Sequence, residues 1–306
     1  MTLLRFFIGF VTVLSACSIT QQSTIASNIH VIAVGINKYD ELPNLKAAQE
    51  DALQTVRLLN AAGASTAHLF LDEEATLAAV KHQWFDTVEQ SLIGDHLVFY
   101  FAGHGTTEPE HLKSSEIDRL DETLLLSGFE ADKGLAERIP DDLLHDWIVF
   151  AIKKGLEVTV FLDTSFHKAG REIEGLTSRG LTLRNIDWQP HPELDQMSLG
   201  DRPVEGAHYV TAAIKGDSLF EFPQEGRLGG TLVAALARAL ACQSTSARSY
   251  NEVTFALYTQ VFEAVENHQH LSLVPQSKDW DDFLPCIKRN SLPSETATLS
   301  GVDQIQ

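Results

Sequence analysis

The stretch from His96 to Gly105 reads HLVFYFAGHG, an unbroken apolar run that ends on Ala102 and gives way to a histidine between two glycines. A strand with one wet face alternates apolar and polar residues. A continuous run like this one marks a strand buried on both faces, as in the centre of a parallel sheet. Working outward, His30 to Ile36 (HVIAVGI), Ala67 to Leu71, Glu157 to Leu162 (EVTVFL) and Ala207 to Ala213 read as further strands, with Thr123 to Leu126 as a shorter one. Between them lie segments of helical period. Lys46 to Ala62 carries Leu53, Val56 and Leu59, the next stripe is Leu77, Val80, Trp84 and Val88, and Asp141 to Lys154 carries Leu144, Trp147 and Ile148. Two more helices are expected, over Gly230 to Ala241 and from the Ser249/Glu252 capping box to about Glu266. Strands spaced by helices predict the α/β class, a three-layer α/β/α sandwich with a mainly parallel central sheet.

Composition narrows the function. The 306 residues hold 23 Lys plus Arg against 42 Asp plus Glu, a formal charge of −19. Phosphate-backbone binding needs a basic footprint, so no nucleic-acid partner is expected. The three cysteines, Cys17, Cys242 and Cys286, are too few and too scattered for a disulfide scaffold or a four-thiolate zinc site.

Residues 1 to 16 (MTLLRFFIGFVTVLSA) place one basic residue before an apolar run too short for a comfortable membrane span, the pattern of an export signal. The run closes on Leu14, Ser15, Ala16 and Cys17, which resembles a bacterial lipobox and implies lipidation of Cys17. An ordinary signal cleaved nearby, or a retained anchor, is the competing account. Ser18 after the cysteine implies export to the outer membrane, facing the periplasm. The expected organisation is a signal at 1–16, a polar tether at 17–29, one domain at 30–290 with a long exposed excursion at 171–205, and a flexible tail at 291–306. In an oxidising envelope Cys242, placed on a helix, and Cys286 either pair or remain two buried thiols.

The chemistry gathers at two strand ends. HLVFYF runs into Gly103-His104-Gly105, and EVTVFLD runs into Thr164-Ser165. In an open parallel sheet the carboxyl ends of the strands form the crevice where ligands collect. A histidine flanked by glycines there is expected to be exposed and accessible, as a general base must be; a turn histidine without a task is the alternative.

These residues resemble the caspase-like cysteine peptidases, specifically the metacaspases and orthocaspases. The likeness runs through VGINKY at Val34 to Tyr39, Ala48 to Asp51, Gly94-Asp95 before FYFAGHG, Asp121-Glu122, Ile139 to Asp142, Leu162-Asp163, Gly230-Thr231, and Val274-Pro275-Gln276. The resemblance implies a caspase-like sandwich and a His/Cys dyad in which His104 is the histidine. Ser165 stands where the family has its cysteine. A thiol is readily activated by an imidazole, whereas a serine hydroxyl needs an aligned base and an orienter, which this dyad is expected to lack.

The resemblance also implies that Asp51 and Asp163 hold a Lys or Arg side chain; read alone, they would cap a helix and end a strand. Arg57 or Lys168 could neutralise them internally. Asp121, Asp141, Asp142 and Glu172 are candidates for the calcium binding that some relatives show, against the alternative of a solvated acidic surface; no cofactor is required. His145, His167 and His191 read as surface residues. The expectation is a pseudopeptidase in the bacterial envelope, held to the membrane only by its lipid, that binds basic peptide segments without efficient cleavage. The alternatives are an Arg/Lys-directed endopeptidase using His104 and Ser165, and a structural assembly partner.

Overall fold

The computed structural model describes residues 28–110, 118–130, 136–167, 177–194, 206–213 and 219–224, with 227–229, 232, 233, 236, 241–242, 272–274 and 287–288. Eight strands and three helices position the site. The strands are β1 (Ile29–Gly35), β2 (Thr66–Leu71), β3 (His96–Ala102), β4 (Gly105–Pro109), β5 (Leu120–Leu125), β6 (Arg138–Pro140), β7 (Glu157–Asp163) and β8 (Ala207–Thr211); the helices are α1 (Ala48–Ala61), α2 (Leu77–Gln90) and α3 (Asp141–Lys153).

Five strands run parallel in the order β8-β7-β3-β1-β2, and Ser272–Val274 pairs antiparallel with β8 as a sixth. The apolar run of β3 lies at the centre with all seven residues buried. Successive residues of β3 feed opposite cores, as the strand period requires. Leu97, Phe99 and Phe101 join Ile32, Val34, Val80, Trp84, Trp147 and Ile148 on the face covered by α2 and α3. Val98, Tyr100 and Ala102 join Val31, Ala33, Ala52, Val56 and Leu59 on the face covered by α1, where Leu232, Val233 and Leu236 also pack.

A second, antiparallel sheet, β4-β5-β6, leaves the carboxyl end of β3 and leads into α3. The sequence shows β5 but hides β4 and β6, which are short and polar. Helix starts follow local chemistry: Thr76 caps α2 by accepting from the Ala79 amide at 3.2 Å, and α3 opens on Asp141 and Asp142 after Pro140. The helix expected from Ser249, the pairing of Cys286 and the terminal segments lie outside the described residues. Cys242 lies not on a helix but in a two-residue strand, Ala241–Cys242, paired with Ile287–Lys288.

Within the expected exposed excursion, of which 177–194 is described, Thr182, Arg184, Asn185, Asp187 and Gln189 are exposed. Arg179 and His191 are buried, and Leu181 is 9% exposed. Residues 177–181 fold across the carboxyl ends of the strands.

Candidate active site

His104 follows β3 directly, and Asp163, Thr164 and Ser165 close β7, so the parallel pairing of β3 with β7 brings both motifs to one end of the sheet. The glycines of the GHG triplet are needed for close approach. A Cβ on Gly103 would lie 2.8 Å from the Tyr39 hydroxyl, and one on Gly105 would lie 2.7 Å from the Ser165 carbonyl.

His104 is not exposed, as its flanking glycines suggested; it is fully buried. Its backbone N–H donates to the Tyr39 hydroxyl at 2.9 Å, and that hydroxyl donates to the Leu125 carbonyl at 3.1 Å. The imidazole Nε2 lies 2.6 Å from the Pro43 carbonyl and Nδ1 lies 3.0 Å from the Arg179 carbonyl. Burial lowers the pKa of His104, with the Pro43 and Arg179 carbonyls pulling the other way. A neutral ring donates through one nitrogen only, and the shorter contact assigns that proton to Nε2. Pro43 thus supplies the orienting acceptor that the sequence did not reveal.

Ser165 is buried two residues beyond the end of β7. Its Oγ accepts from the Leu219 amide at 2.9 Å, and no hydrogen bond joins it to His104. Proton transfer between the two side chains would need a rearrangement that brings Oγ to Nδ1.

Asp51 and Asp163 do converge, and the cation between them is Arg179. Arg57 instead pairs with Glu50 at 3.5 Å, and Lys168 lies outside the described residues. The Arg179 guanidinium is fully buried, with Nη1 3.0 Å from Asp163 Oδ1, Nη2 against Asp51, and Nη2 3.6 Å from Glu221. Nη1 also donates to the Asp163 carbonyl at 2.9 Å. Burial pulls the guanidinium's pKa down, but Asp163, Asp51 and Glu221 outweigh it and hold the group charged. Tyr100 donates to Asp163 Oδ2 at 2.8 Å, and its own pKa is pushed well up by burial, then by Asp163 and Asp51. Glu221 accepts from the amides of Lys46 and Ala47, both at 2.9 Å, at the start of α1. Sequence reasoning did not single out Glu221, Tyr100 or Pro43.

The main chain of Arg179 is held on both sides. Its carbonyl accepts from the Gly105 amide at 3.1 Å, and its amide donates to the Leu219 carbonyl at 2.8 Å. The Leu181 amide donates to the Gly105 carbonyl at 2.9 Å, and the Glu221 amide to the Thr177 carbonyl at 2.9 Å. Residues 177–181 therefore lie in the crevice as an extended peptide added between two edges, with the arginine in the pocket and its carbonyl on a backbone donor.

Asp141 is engaged locally, Oδ2 accepting from the Glu122 amide at 3.1 Å and Oδ1 from the Asp142 amide at 3.0 Å. Among the described residues no three His, Cys, Asp or Glu side chains converge as a metal site would need, and Glu172 lies outside them. His145 and His191 are buried rather than on the surface, and His167 is half-buried.

Comparison with known proteins agrees with this geometry. Residues 30–171 match the family described as metacaspase, peptidase C14 domain. Protein GSU0716 from Geobacter sulfurreducens superposes with a TM-score of 0.62 at 17% identity, over 85% of this chain and 97% of that one. The structure of pro-Sf-caspase-1 superposes with a TM-score of 0.51 at 12% identity, over 82% and 88%. No curated protein matches the sequence. Residues 30–171 thus resemble a metacaspase peptidase C14 domain, and the chain has a caspase-like α/β fold.

Proposed function

We propose that this protein is a caspase-like pseudopeptidase of the bacterial envelope that recognises arginine-bearing peptide segments and does not cleave them efficiently. The observation that carries the reading is the occupied pocket. Arg179 sits among Asp51, Asp163 and Glu221 with its carbonyl on the Gly105 amide, while the residue at the nucleophile position is Ser165. Three carboxylates around one guanidinium make a pocket selective for arginine, whose planar fork meets several acceptors at once. Segment 177–181 is its resident ligand, and an external arginine segment, or a lysine one with fewer contacts, would bind by displacing it.

The serine argues against efficient turnover. Its hydroxyl accepts from Leu219 and is not bonded to the imidazole, and no carboxylate orients that imidazole. A second reading, an Arg/Lys-directed endopeptidase using His104 and Ser165, draws on the same alignment, because Pro43 fixes the histidine tautomer a base would use.

Envelope anchoring rests on the sequence from Met1 to Cys17. The placement of Asn28 suits it, since the chain enters β1 at the end of the sheet opposite the crevice. Palmitate incorporation lost in Cys17→Ser is the expected result, and unlabelled wild type would remove the anchor from the reading.

The test of the site is the intact mass of the full chain, wild type beside Ser165→Cys and Ser165→Ala, with and without calcium. Cleavage after Arg179 only in Ser165→Cys is expected. Wild-type cleavage that disappears in Ser165→Ala would establish the endopeptidase instead. No cleavage in Ser165→Cys, together with no binding of arginine peptides, would leave the structural role.

A further inference from the structure

We infer that the crevice accepts not arginine alone but an arginine followed by glycine, so that its ligands are extended Arg-Gly segments and Arg179-Gly180 is the resident example. The inference rests on reading the crevice as an arginine-binding site, and it adds a requirement on the next residue that no carboxylate imposes.

The geometry points to glycine at one position. A Cβ built on Gly180 would lie 2.1 Å from the His167 carbonyl oxygen, 2.7 Å from the His167 carbonyl carbon and 2.6 Å from Ser165 Oγ. Two of these three neighbours are backbone atoms, which cannot swing aside like the tip of a long side chain. On the other side Gly180 bridges Gly105, whose amide and carbonyl bond to the residues on either side of it. Gly105 is itself pressed against the Ser165 carbonyl and the Thr164 hydroxyl, at 2.7 and 2.9 Å from where its Cβ would be. Gly180 therefore lies in a slot with the Ser165–His167 backbone on one side and Gly105 on the other. Backbone fits there; a methyl group does not.

The backbone angles of Gly180 are not what demands glycine, because its φ does not fall in the left-handed region. Alanine could adopt the same conformation and would be rejected by contact alone. To admit it, the segment must shift away from Ser165, which draws Arg179 out of register with Gly105 and with the carboxylates at once. One methyl group is thereby coupled to the ion-pair cluster.

Trypsin reads this directly in the full chain, because it cuts after accessible arginines and Arg179 is fully buried. Cleavage after Arg179, followed by mass, is expected to be slow in wild type and in Thr182→Ala, an exposed neighbour, and about tenfold or more faster in Gly180→Ala. Protection in Gly180→Ala equal to wild type would overturn the inference. A second arm uses the full chain carrying Arg179→Ala and fluorescent peptides that differ only in Arg-Gly against Arg-Ala. The Arg-Gly peptide is expected to bind about tenfold tighter. Equal binding would overturn the glycine requirement for external ligands. Binding of neither peptide, with Arg179 freed by Gly180→Ala, would defeat the exchangeable pocket under Proposed function while the requirement on the resident segment stands. Should Arg179→Ala fail to fold, the trypsin arm decides.

Discussion

Among the described residues two arginines, Arg138 and Arg179, are fully buried, and they are buried in different ways. Arg138, on β6, meets Glu108 on β4: its Nε lies 2.9 Å from both carboxylate oxygens, and its Nη2 2.9 Å from Oε2. Nη2 also donates to the Gln189 carbonyl at 2.9 Å, the guanidinium stacks 5.4 Å from the Trp188 ring, and Thr123 donates to Glu108 at 2.6 Å. This guanidinium and this carboxylate meet across strands of a single sheet. Arg179 comes from a loop and meets Asp51, Asp163 and Glu221, three charges against one, from three separate parts of the chain. A matched pair is a fixed part of a scaffold. A pocket with surplus negative charge is built around the cation, and it keeps its demand for one when that cation leaves.

The largest expected effect falls on the matched pair. Arg138→Met leaves Glu108 buried without its guanidinium and should lower stability to urea by about 3–5 kcal/mol, with no recovery on adding arginine. The double variant Arg138→Met/Glu108→Leu should lose less than Arg138→Met, because no bare charge remains. Arg179→Met leaves Asp51, Asp163 and Glu221 buried around a lost cation and should cost about 2–4 kcal/mol. Here saturating arginine amide should restore most of the loss, read as a rise in melting temperature. If arginine amide rescues both variants or neither, the contrast between scaffold and pocket fails.

The sheet was legible in the sequence because burial on two faces writes itself as an apolar run, and β3 and β7 carry that run up to the residues that matter. His104, Ser165, Asp51 and Asp163 could be placed because each stands in or beside a regular element, although the pairing of the two aspartates came only through resemblance. What stayed hidden arrives on irregular chain or through the backbone. Pro43 acts through a carbonyl, which every residue has. Glu221 follows a stretch without period, and nothing in its spacing ties it to the start of α1. Arg179 left a faint trace: an Arg-Gly pair followed by Leu181 and Leu183 inside an otherwise polar segment, where leucines, buried at 181 and half-buried at 183, betray a loop that docks.

The smallest expected effect concerns the histidine beside each arginine. Burial and then the charge of Arg138 lower His191 from the usual 6.5 to about 4, with its Nε2 against the Ala136 carbonyl at 3.3 Å and its Nδ1 accepting from the Glu193 amide at 3.2 Å. His104, beside Arg179, is also lowered, first by burial, but the Pro43 and Arg179 carbonyls and then Glu221 oppose the shift. The folded chain holds His191 neutral while the unfolded chain protonates it below pH 6.5. The unfolded state therefore binds the extra proton, and stability falls as the pH drops from 6.5 to about 4. Below that window the folded state is protonated too and the loss stops growing. Urea midpoints across the window should fall less steeply in His191→Gln than in wild type, and His104→Gln should flatten the curve by a smaller amount. Equal slopes for all three chains would show that neither histidine is held neutral by its site. A steeper contribution from His104 than from His191 would mean that burial and the Arg179 guanidinium, rather than the surrounding carboxylates and carbonyls, set the field at the crevice, and it would reverse the ranking of the two sites.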